Sequence, residues 1–320
     1  MMGNECSHCG LPFQLLEKGY LFVFSDYSRT IQPYGSLTEL EKLLEDAALP
    51  AGDAATIQTG ISMSTVPPLM LLNLQQLLAH VRSRDIVKVI GHGELVSYLQ
   101  PIISLKNDAQ VYGYESLLRT GTPEQISPGK LFETANETGL LSLLDRRARE
   151  AAIKAKKEKV PAGIKSFINF LPSTIYNPEY CLRHTFRLVE KYQINPDDLV
   201  FEVVETEKIT DVQHLKNVLN TYKRQGMKVA LDDVGAGFST LEVLEMLNPD
   251  YVKIDRQFIS HCDQDAQKQE FLGEVITLAR QLNIIVLAEG IERKEELEYC
   301  RKIGADLAQG YYLGKPQPII

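Results

Sequence analysis

Glu115 with Arg119, Asn169, Glu202, the adjacent pair Asp232-Asp233, Lys253 and Glu289 share one position in the chain's pattern: each lies near the end of a short, strand-like apolar run. Nothing in the local needs of a strand explains that recurrence. Separated carboxylates and an amide oxygen are the donors that hold hard divalent cations such as Mg²⁺ or Mn²⁺, and a lysine beside them can help move a proton from water. Together they suit a metal-dependent hydrolase.

Taken singly, each residue has a plainer reading. Glu115 and Arg119 stand four apart, the spacing of a surface ion pair. Asn169 interrupts Phe167-Ile168-Asn169-Phe170, where an asparagine often marks a strand end. Asp232-Asp233 can cap a helix, yet adjacent carboxylates before Gly235-Ala236-Gly237 also suit two cations about 3.5–4 Å apart that share a ligand. Glu202 and Glu205 flank two valines, so period-two alternation sends them to opposite faces; Glu202 is assigned to the metal and Glu205 to the following loop. Lys253 lies between Val252 and Ile254 and needs a carboxylate, because burying an unpaired ammonium is costly. Glu289, Glu292 and Gln309 are unremarkable alone; their joint occurrence at successive strand ends is the signal.

The elements that must position these residues follow from the apolar pattern. Strands are expected at 95–103, 111–118, 166–170, 199–204, 227–232, 251–254, 284–288 and 305–309, with amphipathic helices at 128–157, 212–225, 267–281 and 294–303. Eight strands alternating with helices argue for an α/β fold closed into a (β/α)₈ TIM-like barrel, with chemistry where strands end and helices begin. Residues 1–84 lack this pattern and form a small N-terminal α+β module of unknown role, against a barrel domain at 85–320. The module has a strand at 19–25, a short acidic helix at 37–48 and a Gly, Ala and Thr-rich stretch at 50–65. Pro67-Pro68 then opens a helix carrying Met70, Leu71, Leu74, Leu77, Leu78 and Val81 at helical spacing.

The 320 residues carry a net charge of −8, which argues against a nucleic-acid polymer or an anionic membrane surface as partner. Bound cations would reverse the local sign and let an acidic protein take a phosphodiester. No apolar run reaches the ~18 residues of a membrane span and the start is not that of a signal peptide, so a cytoplasmic location is expected. The five cysteines do not suggest a disulfide framework. Cys6-Ser-His-Cys9 is half a Zn²⁺ site without a second close pair in residues 1–84; a plain turn with two thiols is the default and zinc the alternative.

These pieces, in order, resemble the EAL family of cyclic di-GMP phosphodiesterases over residues 85–320: QPI at 100–102, ESLLR at 115–119, NFLPS at 169–173, EVVE at 202–205, DDVGAGFSTL at 232–241, DYVKID at 250–255, AEGIE at 288–292 and QGYY at 309–312. The resemblance implies a barrel whose first strand is antiparallel to the rest and two Mg²⁺ or Mn²⁺ at its mouth. Glu115, Asn169, Glu202 and Asp232 would hold the first metal, Asp232 and Asp233 the second, with Glu289 beside it. Lys253, Glu205 and Glu289 would serve catalysis; Gln100, Leu117, Arg119, Glu292 and Gln309 would meet the substrate, cyclic di-GMP, opened to linear 5′-pGpG. A homodimer through the barrel is implied too, with the loop 233–239 and the helix after it coupling self-association to catalysis. Three positions depart from the family pattern: Ser116 for Ala, Val204 for Thr and Val234 for Phe. A silent module that binds the dinucleotide or a protein is the alternative; a general barrel phosphatase fits the metals but not Gln100, Arg119 and the glycine loop together.

Overall fold

The computed structural model describes residues 13–25, 28–48, 56–106, 110–121, 125–204, 211–234 and 241–318. They fall into two compact units: residues up to Glu94 together with Thr120–Leu144, and Leu95–Arg119 together with Asp145 onward. The sequence boundary at residue 84 thus differs from the packing boundary. The helix Pro128–Glu137 packs on the helices Leu74–Arg82 and Arg84–His92 and so groups with the N-terminal residues.

In the first unit, strands β1 (Gly19–Ser25), β2 (Ser28–Tyr34), β3 (Gln58–Ser62) and β4 (Leu72–Asn73) form an antiparallel sheet in the order β2-β1-β3-β4. The helix Leu37–Ala48 lays Leu37, Leu40 and Leu44 into the core with Leu21, Ile61, Leu74 and Leu77. The Gly, Ala and Thr-rich stretch at 50–65 contains β3. Gly60 makes this work: a Cβ there would stand 2.4 Å from Pro68 Cγ, so Pro67-Pro68 crosses the bare strand instead of opening a helix. The helix starts later, at Leu74. Asn73 caps it, accepting from Gln76 N at 2.7 Å while Gln76 reaches back to the Asn73 amide. A further helix spans Arg84–His92, a stretch with no expected element in the apolar pattern.

The long helix expected at 128–157 is two, Pro128–Glu137 and Leu141–Lys159. The break is at Gly139, whose φ of +72° favours glycine, with Thr138 as the cap residue.

In the second unit, β5 (Leu95–Ser104), β6 (Val111–Thr120), β7 (Lys165–Phe170), β8 (Leu199–Val203), β9 (Lys228–Val234), β10 (Tyr251–Ile254), β11 (Ile285–Ala288) and β12 (Leu307–Ala308) close a barrel. Neighbours from β6 round to β12 are parallel, and β12 meets β5 antiparallel, so the first strand alone runs against the rest. Alternation sorts the strand residues. Ile102, Phe167, Val200, Ala230, Tyr251, Leu287 and Leu307 cluster together inside the barrel. Their chain neighbours Ile168, Phe201, Leu231, Val252, Val286 and Ala308 pack outward with helix residues such as Val218, Tyr222, Leu272 and Ile276.

Candidate active site

A step of two along a strand returns to the same face. Two residues beyond the inward-facing Phe167, Val200, Ala230, Tyr251, Leu287 and Leu307 stand Asn169, Glu202, Asp232, Lys253, Glu289 and Gln309. On β6 the same step leads from Gly113 to Glu115; a Cβ on Gly113 would lie 2.9 Å from Lys165 O and 3.1 Å from the Phe167 ring, so the glycine makes room for β7 beside it. The apolar layer thus carries a polar layer directly above it. Backbone bonds extend the ladder past β11 and β12, from Glu289 N to Ile254 O at 3.2 Å and from Gln309 N to Ala288 O at 2.9 Å, which fixes where those two side chains start.

The polar layer is organised around Lys253, which is 1% exposed. Its Nζ lies 2.8 Å from Glu289 Oε1, 3.1 Å from Asp232 Oδ1, 3.2 Å from Glu202 Oε2 and 3.8 Å from Glu115 Oε1. Glu115 is held from two further sides: Asn169 Nδ2 donates to Oε1 at 3.0 Å and Gln309 Nε2 to Oε2 at 2.8 Å. Burial opposes the Lys253 charge, but Asp232, Glu115, Glu202 and Glu289 outweigh it and hold the ammonium well above its ordinary pKa. Burial pushes Glu202 well above the ordinary carboxylate range; Lys253 pulls it down, and the neighbouring carboxylates push it up again. Glu289 is raised in the same way, first by burial.

Four carboxylates therefore share one ammonium, and burial together with their mutual repulsion raises the pKa of Glu202 and Glu289. Glu202 Oε1 is buried with no hydrogen-bond partner among the described residues, as is Gln309 Oε1. Surplus negative charge and a bare, buried carboxylate oxygen are what a hard divalent cation relieves, so the donor set fits one. Among the described residues no three acidic, histidine or cysteine side chains are gathered as a ready ion shell, and the acids turn to Lys253 instead.

The structure brings together Glu115, Asn169, Glu202, Asp232, Lys253, Glu289 and Gln309. Gln309, expected on the substrate side, steadies Glu115. The other expected substrate residues make separate contacts. Gln100 donates to Gly314 O at 3.1 Å; Arg119 bonds Leu118 O and lies over the Tyr98 ring; Glu292 pairs with Arg256 at 2.9 Å. Leu117 is half-buried on β6, on the same face of the strand as Glu115 and Arg119. Glu205, the Asp233 side chain and the loop 235–240 lie outside the described residues, as do Cys6 and Cys9. The three described cysteines, Cys181, Cys262 and Cys300, form no disulfide.

Sequence reading missed the support beneath Asn169. Asp145 accepts from Leu171 N at 3.0 Å and Thr174 Oγ1 at 2.8 Å, and pairs with Arg149 at 2.9 Å. This pair pins the turn that follows β7. The only signal was an Asp and Arg four apart on an otherwise apolar helix face, which reads equally as a surface pair.

Residues 83–316 match the EAL domain family, and the chain belongs to it. The probable cyclic di-GMP phosphodiesterase PdeG of Escherichia coli (strain K12) is 35% identical over 239 residues, covering 72% of this chain and 46% of PdeG. A standalone EAL protein from Vibrio cholerae O395, solved in a c-di-GMP-bound form, is 32% identical with a TM-score of 0.64, covering 71% of this chain and 93% of that one. BlrP1 of Klebsiella pneumoniae, solved as a manganese/cy-diGMP complex, is 28% identical with a TM-score of 0.64, covering 71% and 57% of the two chains. The chain spans less than half the length of PdeG.

Proposed function

We propose that the barrel hydrolyses cyclic di-GMP to linear 5′-pGpG with two divalent cations, Mg²⁺ or Mn²⁺, lowering a bacterial second messenger in the cytoplasm. The observation that carries this reading is the buried Lys253 ammonium ringed by Glu115, Glu202, Asp232 and Glu289, in a chain of the EAL domain family. Relatives named as cyclic di-GMP phosphodiesterases, and solved relatives holding the dinucleotide, supply the substrate.

Glu115, Asn169, Glu202 and Asp232 would hold one cation, and Asp232 with Asp233 the other. Bound there, the cations would acidify water and offset charge on the phosphodiester. Lys253 stays protonated, so it orients the attacking water and faces the negative charge that builds on phosphate oxygens. Glu289 and Glu205, nearest in role to the water, take the proton. Asn169 and Gln309 keep Glu115 from turning away. Arg119, Gln100, Leu117 and Glu292 would contact the dinucleotide at the strand ends. Self-association through the barrel, and a regulatory role for the module before residue 84, belong to the same proposal. Among the described residues no helix is long and apolar enough to cross a membrane.

One observation favours a second reading. Val204 and Val234 stand where the family pattern has Thr and Phe, as suits a barrel that binds the dinucleotide without cutting it. Incubation of the full chain with cyclic di-GMP and Mg²⁺ or Mn²⁺, with products resolved by chromatography, separates the two. The expected result is 5′-pGpG, lost in excess EDTA. Tight binding with the dinucleotide intact would establish the second reading.

A further inference from the structure

The first unit contains a cavity of about 210 Å³ that the barrel chemistry does not use. Its walls include Phe13, Leu15, Val87, Leu140 and Leu143, and its floor holds His80. That histidine is 1% exposed, so its ring nitrogens matter. Nε2 lies 2.9 Å from Thr138 O, a carbonyl at the end of the helix Pro128–Glu137 that has no later turn to bond. A carbonyl only accepts, so Nε2 carries the proton. Burial pushes the His80 pKa down, partly offset by this bond, which keeps the ring neutral. Nδ1 is then a bare lone pair, buried with no hydrogen-bond partner among the described residues. A wall made only of apolar groups would leave that acceptor unpaired, a costly arrangement.

The mouth has the opposite character. Arg84 and Lys88 stand one turn apart on the helix Arg84–His92, exposed, with His92 beyond them, and among the described residues no carboxylate lines the cavity. The charge on Lys88 is only loosely met by Asp85, at 3.9 Å.

We propose that this cavity binds a small aromatic acid with a hydroxyl at the end remote from its carboxylate. The ring fills the apolar walls, the hydroxyl donates to His80 Nδ1, and the carboxylate faces Arg84 and Lys88. The volume suits one ring, since cavities of roughly 150 Å³ take benzene. The site makes the N-terminal unit a ligand-binding module.

Titration calorimetry on the full chain tests this with 4-hydroxybenzoate, benzoate and phenol. We expect 4-hydroxybenzoate to bind, and removal of either polar end to weaken it by about tenfold or more. Arg84→Glu with Lys88→Glu, both exposed positions, should weaken 4-hydroxybenzoate by a similar factor and leave phenol unchanged. Gly91→Leu provides a variant safe for folding: Gly91 lines the cavity, a Cβ there meets nothing within 4 Å, and leucine suits a helix better than glycine. It should abolish binding of all three compounds. Equal affinity for benzoate and 4-hydroxybenzoate would overturn the role of His80, and indifference to the charge reversals would overturn that of the mouth. Failure of 4-hydroxybenzoate to bind at millimolar concentration, or unchanged binding in Gly91→Leu, would remove the site altogether.

Discussion

The barrel mouth and the N-terminal cavity each bury a basic side chain, and they do so in opposite ways. Lys253 is kept charged by four carboxylates that it cannot neutralise, so the surplus calls for more positive charge. His80 is kept neutral by burial, and one carbonyl fixes its proton on Nε2, so its spare nitrogen calls for a donor. Buried groups thus report their missing partners by sign: excess anions point to a cation, and a lone acceptor to a hydroxyl or N–H. The two regions also differ in how much of this the chain reveals before folding.

The comparison breaks most visibly at Glu115. Asn169 and Gln309 both donate to this carboxylate, which also faces Lys253, so removing it strips the cluster of an anion and leaves two amides without their acceptor. Glu115→Ala should take hydrolysis of cyclic di-GMP to background, and chelation of the wild type should match it. Lys253→Ala should lower turnover by about 10²–10³-fold, the usual loss for one group that stabilises developing charge, with substrate binding retained. Turnover near wild type in Lys253→Ala would show that the ammonium is structural.

The eight strands were legible because each inward apolar residue is followed two places on by a polar one, a pattern repeated around the barrel. The cluster was legible for the same reason. Asp145 was not, because its importance lies in Leu171 N and Thr174, which meet it only after folding. Nor was His80, because a neutral imidazole on an apolar helix face looks like any core residue. The Gly139 break escaped because residues on both sides keep helical spacing. Asp145→Ala should cost about 3–5 kcal/mol, as expected when one partner of a buried pair is removed, because Arg149 is left charged in the core. Chemical unfolding measures the loss, and a cost below 1 kcal/mol would mean the pair adds little.

Replacing one surplus anion should have a smaller effect of opposite sign. The folded-state pKa values of Glu202 and Glu289 lie well above the ordinary 4.5. A raised pKa contributes stability that is complete below the unfolded value and is lost as pH rises through the folded one. The Lys253 pKa is also raised, but its contribution is complete below the ordinary 10.5 and so stays constant through neutral pH. In chelator, the wild-type Tm should therefore fall as pH rises from acid through neutral. Glu202→Gln should flatten that fall and exceed wild type at pH 8 by about 1 kcal/mol or more, one pKa unit being worth roughly that much, while hydrolysis is lost. Mg²⁺ or Mn²⁺ should restore wild-type stability and release protons on binding. A less stable Glu202→Gln at pH 8 in chelator would show that the cluster is balanced as it stands.

The smallest effect belongs to the cavity side of the comparison. Gly139 has φ +72°, and a Cβ on it would lie 2.9 Å from Gln76 Nε2, the far end of a flexible side chain. The contact can relax, but the backbone strain cannot, so Gly139→Ala should cost about 1 kcal/mol. The turn it distorts presents Thr138 O, the carbonyl that fixes the proton on His80 Nε2. Loosening that carbonyl frees His80 to adopt the other tautomer, which turns Nδ1 from acceptor to donor. Nitrogen NMR of the His80 ring should then show mixed tautomers in Gly139→Ala and a single Nε2–H form in the wild type, with turnover per folded chain unchanged. A single Nε2–H form in both proteins would show that the tautomer is set by the apolar surroundings and not by the turn.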